Sequence, residues 1–128
     1  MERGNSYYSV EADNEKNRVS FTMQGDIPNV DAISNFESDW HTTVGEVTSG
    51  FTIIGDLSKC GPLPTDVESL NQKVQGWIMQ QGCRKVAQLV GNLDVMSQVN
   101  GFAEKSGMRN VLRAFNLRKT AIMWLDIQ

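Results

Sequence analysis

The sequence has few of the residues from which catalytic and metal sites are usually built. Its 128 residues include one histidine, two cysteines and three prolines. The cysteines, Cys60 and Cys83, form no CxxC motif, and with a single histidine they supply no recognisable set of zinc ligands. We therefore expect no metal and no cofactor. Free thiols in a reducing compartment are expected, and a disulfide between the two cysteines is the alternative.

Long apolar segments are also lacking. The charged and polar N-terminal residues precede no apolar segment, so we expect no signal peptide. No apolar run approaches the roughly 20 residues that a membrane span requires. Hydrophobic residues make up 40% of the chain and charged residues 21%, which are ordinary values for a globular protein. A single domain over residues 1–128, located in the cytoplasm, is expected.

Charge is distributed unevenly, although the net charge is only −3. Residues 1–70 carry 12 acids and 4 bases, whereas residues 71–128 carry 3 acids and 8 bases. Four bases of the second half form a candidate docking patch for an anionic partner: Arg109, Arg113, Arg118 and Lys119. A solvated basic face is the alternative interpretation. Nucleic acid is not expected as the partner, because no aromatic residues interleave with the bases.

Hydrophobic periodicity predicts an α/β fold that begins with a β-hairpin. Residues 7–12 alternate loosely between apolar and polar, and residues 18–23 alternate strictly. A helix is expected from Pro28 to about Val47, since apolar residues recur there every three or four positions. His41 lies just off this apolar stripe. We expect it to be exposed or partly packed, because no nucleophile that it could serve is visible.

The segment from Phe51 to Asp66 is the predicted centre of the fold. Its apolar first part, to Leu57, predicts an inner strand, and a loop with glycine and proline follows. Thr65 and Glu68 then have the spacing of a capping box, which begins a helix that ends near Gly82. Because α/β proteins usually place their working surface at the carboxyl ends of parallel strands, the loop at residues 58–65 is the expected functional surface.

Alternating elements complete the prediction. A second inner strand is expected over residues 84–90, a helix from about Asp94, a short strand over residues 110–115, and a last helix capped by Asn116. Strands that alternate with helices lie parallel and are joined by right-handed crossovers. We therefore predict a mixed, mostly parallel sheet of about five strands, flanked by about four helices.

Three segments carry a resemblance to a known family. The first segment is similar to that family's central strand, which ends in an Asp-Leu-Ser step; it reads Ile53-Ile54-Gly55-Asp56-Leu57-Ser58 here. Residues 102–108 are similar to that family's helix ending in a small residue, Gly and Leu, and residues 111–125 to its last strand and helix. In this order the chain resembles the STAS domain family, and more closely its SpoIIAA-like, or STAS-like, branch. The resemblance extends over roughly residues 6–126.

The resemblance implies a SpoIIAA-like (STAS) fold and a non-enzymatic regulatory module that presents a loop and a helix to a partner protein. In anti-sigma-factor antagonists of this family, the loop carries an Asp-Ser pair whose serine is phosphorylated. Pro64 and Thr65 stand there in this chain, so the hydroxyl is retained and the acid is not. Thr65 and Ser58 are the candidate phosphorylation sites. The candidate regulatory loop comprises Asp56, Ser58, Lys59, Thr65 and Asp66.

Other function classes remain open beside the interaction module. Gly61 and Gly91 would let the backbone approach a small anion or a nucleotide, although no Walker or Gly-x-Gly-x-x-Gly motif is present. A carrier of lipid or another apolar ligand is a further alternative. An enzyme is not expected, because the candidate nucleophiles Ser58, Cys60 and Thr65 have no evident histidine partner. The partner would be another protein, and a homodimer also remains open.

Overall fold

The computed structural model describes residues 2–91 and 111–127, which form a six-stranded mixed sheet with helices on both faces. The strands follow each other across the sheet in sequence order. Their bounds are β1 Arg3–Gly4, β2 Tyr8–Asp13, β3 Arg18–Gly25, β4 Thr52–Cys60, β5 Lys85–Val90 and β6 Leu112–Phe115. The helices are a 3₁₀ turn at Val30–Ile33, α1 Phe36–Val44, α2 Thr65–Gln80 and α3 Arg118–Asp126.

The predicted α/β class and the N-terminal hairpin are confirmed. Strands β2 and β3 are antiparallel, and β3, β4, β5 and β6 are parallel to one another. Strand β4 lies inside the sheet between β3 and β5, as predicted. The sheet has six strands rather than about five, because the two-residue β1 pairs with the outer edge of β2. The helix predicted from Asp94 lies outside the described residues.

The sheet separates two apolar clusters of unequal size. The larger cluster joins the sheet to the 3₁₀ turn, α1 and α2, and includes Phe36, Trp40, Leu57 and Val67. The smaller one lies under α3 and consists of Ile54, Ala87, Leu89, Ala121 and Leu125. Because side chains alternate between the two faces of a strand, β4 supplies Ile53 to the first cluster and Ile54 to the second.

The long helix predicted from Pro28 to Val47 is wrong as a single element. The structure has the short 3₁₀ turn, in which Asn29 Oδ1 accepts a hydrogen bond from Ala32 N at 3.3 Å, and then α1. The Asp66 carboxylate accepts the N–H of Val30 at 3.0 Å, which holds the turn against the start of α2. The Asn29 hydrogen bond is local, and local side-chain bonds of this kind compete with a continuous helix.

Both predicted helix caps are also wrong. Helix α2 has Pro64 at its N-cap position and α3 has Leu117, and neither of these N-cap residues accepts a capping hydrogen bond through its side chain. Thr65 is the first residue inside α2, and the Glu68 N–H is bonded to the carbonyl oxygen of Pro64 at 2.9 Å. The predicted capping box paired the Glu68 N–H with the Thr65 hydroxyl, but this N–H is bonded to the backbone instead.

Arg84 and Lys85, at the start of β5, hold the C-terminal end of α3. The Lys85 ammonium donates to the carbonyl oxygens of Trp124 at 2.8 Å and of Ile127 at 2.6 Å. The Arg84 guanidinium donates to the carbonyl oxygens of Leu125 and Ile127. Cations at this end of a helix satisfy its last carbonyls and complement its dipole, so these contacts fix α3 on the sheet.

Candidate functional site

Strand β4 extends further than the sequence predicted, and this changes the candidate site. It continues to Cys60, so that Ser58 and Lys59 belong to the strand rather than to the loop. Asp56 is paired with Thr22 of β3, and Lys59 with Gln24. Between these pairs β4 contains one residue more than β3, which is the arrangement of a β-bulge. Bulges disrupt the alternation of side chains and are common beside functional sites.

The bulge places polar side chains on one surface. Thr22 and Gln24 are two residues apart in β3, so their side chains share a face of the sheet. Their partners Asp56 and Lys59 lie on that same face. Ser58 and Lys59 are consecutive and both exposed. In a regular strand one of the two would point toward the opposite face, where Leu57 is buried.

Asp56 is the centre of this surface. One carboxylate oxygen accepts the backbone N–H of Ser58 at 3.0 Å and the Ser58 hydroxyl at 2.6 Å. The other accepts from the guanidinium of Arg118, in the first turn of α3, at 3.3 Å. We call Asp56, Ser58 and Arg118 the Asp56 cluster. Its hydrogen bonds fix the carboxylate, since both of its oxygens are bound.

These contacts determine the charge of Asp56. Burial alone would raise the pKa of the Asp56 carboxyl, but the hydrogen bonds from Ser58 and the positive charge of Arg118 together outweigh it and lower that pKa. Asp56 is therefore ionised at neutral pH and accepts the Ser58 proton only as a hydrogen bond. A carboxylate with a lowered pKa is a poor general base. The cluster is thus better suited to recognition than to activation of the Ser58 hydroxyl.

Gly91, which follows β5, packs directly against the bulge. A Cβ atom at this position would overlap the carbonyl oxygen of Ser58, so the backbone of residue 91 lies closer to β4 than a side chain would allow. Glycine in such a position permits close approach of two backbones. Gly91 therefore supports the shape of β4 beside the Asp56 cluster.

Thr65 and Asp66 do not join this surface. Helix α2 packs through Val67 into the larger apolar cluster, whereas Asp56 faces α3 on the other side of the sheet. Asp66 has a structural role, because its carboxylate accepts from Val30 N and from Val67 N, the latter at 2.8 Å. The residues predicted to form one loop therefore fall into two groups on opposite faces.

The described bases of the predicted basic patch have different contacts. Arg118 is paired with Asp56, and the Arg113 guanidinium lies 4.9 Å from the centre of the Trp124 ring. Lys85, which sequence reasoning did not select, lies at the same distance from that ring. Lys119 is exposed. Arg109 lies outside the described residues.

The other candidate reactive groups are unfavourably placed. Burial raises the pKa of the Cys60 thiol to about 11 and that of the Cys83 thiol to about 12, and both thiols are free. His41 stacks on Trp77 of α2 with 3.8 Å between ring centres, on the face of the sheet opposite Ser58. Within residues 2–91 and 111–127, no three His, Cys, Asp or Glu side chains are grouped so that they could hold a metal ion.

The strand order also bears on ligand binding at the carboxyl ends of the strands. In open α/β sheets, ligands bind where the strand order reverses. Here the order follows the sequence from β1 to β6. The described sheet therefore lacks such a reversal, and the Asp56 cluster lies on the face of the sheet beside α3.

Comparison of the chain with protein-family models gives no match, and comparison with curated protein sequences gives none either. Among the helices that the structure describes, none combines the length and the apolar character needed to cross a lipid bilayer.

Proposed function

We propose that this chain is a non-enzymatic, STAS-like interaction module of the cytoplasm, and that it binds a partner protein through the Asp56 cluster together with Lys59. The observation that carries the proposal is the fixed carboxylate of Asp56, held by Ser58 and Arg118 on a bulged strand. This surface replaces the loop at residues 58–65 as the proposed contact. The Asp-Leu-Ser step behind the resemblance lies within it.

Preorganised charge supports binding by this surface. The side chains of the cluster are partly exposed, with 26% of the Asp56 side chain and 53% of the Arg118 side chain accessible. Because both are already held in one geometry, a partner would order fewer side chains when it binds. This surface combines a carboxylate, a hydroxyl and two cations. It therefore favours a partner surface that is polar and complementary in charge.

The chemistry of the same residues favours binding over catalysis. The lowered pKa of Asp56 leaves Ser58 without a strong base, and His41 is on the other face of the sheet. The buried thiols of Cys60 and Cys83 are protonated at neutral pH. A nucleophile and a base within hydrogen-bonding reach would be needed for covalent catalysis.

Phosphorylation of Ser58 would regulate this surface directly. The hydroxyl would no longer donate to Asp56, and a phosphate carrying about −1.5 to −2 charges would lie beside an ionised carboxylate. Arg118 and Lys59 are the cations that would compete for it. We therefore propose Ser58, rather than Thr65, as the regulated hydroxyl, because Thr65 lies on the opposite face.

Site-specific photocrosslinking tests the proposed surface. A photoreactive amino acid replaces Lys59 in one variant and Lys73 in a control, since both are exposed lysines but Lys73 lies on α2. We expect a specific partner protein to be crosslinked from position 59 and not from position 73. Arg118→Glu, which places two carboxylates together, should reduce the yield from position 59 several-fold, with the circular dichroism spectrum unchanged.

Two outcomes would contradict the proposal. Equal crosslinking of the same partner from positions 59 and 73 would show that the Asp56 face does not direct binding. An unchanged yield in the folded Arg118→Glu variant would remove the cluster from the contact. Ser58→Asp in the same assay tests regulation separately, because we expect it to weaken the crosslink while Thr65→Asp leaves it unchanged.

A further inference from the structure

Helix α2 buries two amide side chains in the larger apolar cluster. Leu70 and Trp77 have the apolar spacing of an inner helix face, but both are only partly buried. Asn71 and Gln75, one turn apart, are buried instead, together with Val74 and Ile78. Burying an amide in an apolar interior is unfavourable unless it forms hydrogen bonds, so these two side chains make the interior beneath α2 partly polar.

The two amides line a small cavity between the sheet and the helices. Trp40 of α1 and Gln88 of β5 line it as well, and apolar side chains, including those of Phe21 and Val86, complete it. Its volume available to the centre of a water molecule is about 20 Å³. A cavity needs roughly 10–15 Å³ on this measure to hold one water molecule. The cavity is thus of the size of a single water and far too small for a lipid.

Two polar atoms of this lining have no hydrogen-bonding partner within the described residues. They are Nε1 of Trp40 and Oε1 of Gln88. Trp40 is 3% exposed and Gln88 is 5% exposed, so bulk solvent does not reach either group. Indole Nε1–H is only a donor, and the amide oxygen is only an acceptor. The two atoms therefore need a group that can accept one hydrogen bond and donate another.

We propose that this cavity binds one structural water molecule, which accepts the N–H of Trp40 and donates to the amide oxygen of Gln88. Water meets both needs, since it can accept one hydrogen bond and donate another. Buried waters in proteins typically make two to four hydrogen bonds to such groups. The water joins α1 and β5 beneath the buried amides of α2.

Nuclear magnetic resonance of the ¹⁵N-labelled protein tests the site. We expect a nuclear Overhauser effect between water and the indole proton of Trp40, with the sign of a water that tumbles with the protein. The Trp40→Phe variant assigns the resonance. The effect should be the same at two pH values, because proton exchange with solvent would instead increase with pH.

Gln88→Met is the matched variant, since methionine has a similar length and no amide. The Trp40 cross peak with water should be lost, whereas the indole resonances of Trp77 and Trp124 should keep their positions. Absence of the cross peak in the unaltered protein, or its retention in folded Gln88→Met, would overturn the proposal.

Atomic-resolution crystallography of the unaltered protein gives an answer that does not depend on the folding of a variant. We expect one ordered water within hydrogen-bonding distance of Trp40 Nε1 and Gln88 Oε1. A direct hydrogen bond from Trp40 to a protein acceptor, with the cavity closed, would refute the site.

Discussion

Replacing Asp56 by asparagine should destabilise the fold by removing the charge on which three hydrogen bonds depend. Ser58 donates through its N–H and its hydroxyl, and Arg118 through its guanidinium. Hydrogen bonds to a charged group contribute about 1.5–3 kcal/mol and neutral ones about 0.5–1.5 kcal/mol. The pair with Arg118 is partly exposed, and exposed ion pairs contribute about 0.2–1 kcal/mol. We expect a loss of about 1–2 kcal/mol in the free energy of unfolding at pH 7.

The loss should depend on pH in a defined direction. The pKa of Asp56 is lower in the folded protein than its usual value of 3.8, so the folded state binds this proton less readily than the unfolded state. The stability contributed by the carboxylate is therefore present above the usual pKa and disappears as the pH falls through the folded pKa. The difference between the two proteins should be largest at neutral pH and should shrink below about pH 4.

Urea unfolding followed by tryptophan fluorescence at pH 7 and at pH 3 measures both effects. Glu11→Gln is the control, because Glu11 is an exposed acid on β2 and its replacement removes one charge without touching the cluster. We expect the control to change stability by less than about 0.5 kcal/mol. An Asp56→Asn variant as stable as the unaltered protein at pH 7, or equally destabilised at both pH values, would refute the electrostatic account of the cluster.

Three further substitutions or reactions test other parts of the structure. Gly91→Ala should lower the free energy of unfolding by about 1–3 kcal/mol, because its Cβ would overlap the backbone of β4. Gly55→Ala should change it by less than about 0.5 kcal/mol, because its Cβ would meet a side-chain atom of Phe21 at an ordinary 3.4 Å. Equal effects of the two variants in urea unfolding would contradict the close approach of residue 91 to β4. Thr65→Ala should change the free energy of unfolding by less than about 0.5 kcal/mol. A loss near 1 kcal/mol would show that the Thr65 hydroxyl does cap α2. The thiols of Cys60 and Cys83 should react with a disulfide reagent at pH 8 at least tenfold more slowly in the native protein than in urea, since burial raises their pKa values to about 11 and about 12; rapid native reaction would show that they are accessible.

Local pattern was enough to predict much of the fold. Alternation placed the hairpin strands to within about two residues, and the apolar runs located β4 and β5. These strands bury apolar side chains at regular positions, so the spacing of apolar residues in the sequence predicts them. The interruption between the 3₁₀ turn and α1 was not predictable in the same way. It depends on a hydrogen bond from Val30 to Asp66, which is 36 residues away.

The site was less predictable than the fold, because its contacts are remote in sequence or depend on a strand irregularity. Asp56 and Ser58 were selected together, and their hydrogen bond is local. Arg118 was assigned to a separate basic patch, and only the position of α3 over β4 brings it to Asp56, 62 residues away. The bulge that exposes both Ser58 and Lys59 has no signature in a single sequence. The buried amides of α2 were missed because apolar periodicity favours Leu70 over Asn71.

The outer edge of the hairpin has a consequence for association. Strand β1 pairs with Ser9 and Val10 of β2, and the edge beyond them carries the exposed acids Glu11 and Asp13. Unpaired strand edges are the usual starting point for aggregation by strand addition, and charged side chains oppose it. A strand that extended the sheet here would have to remove two carboxylates from water. The two carboxylates thereby disfavour intermolecular β-pairing at the margin beside β2.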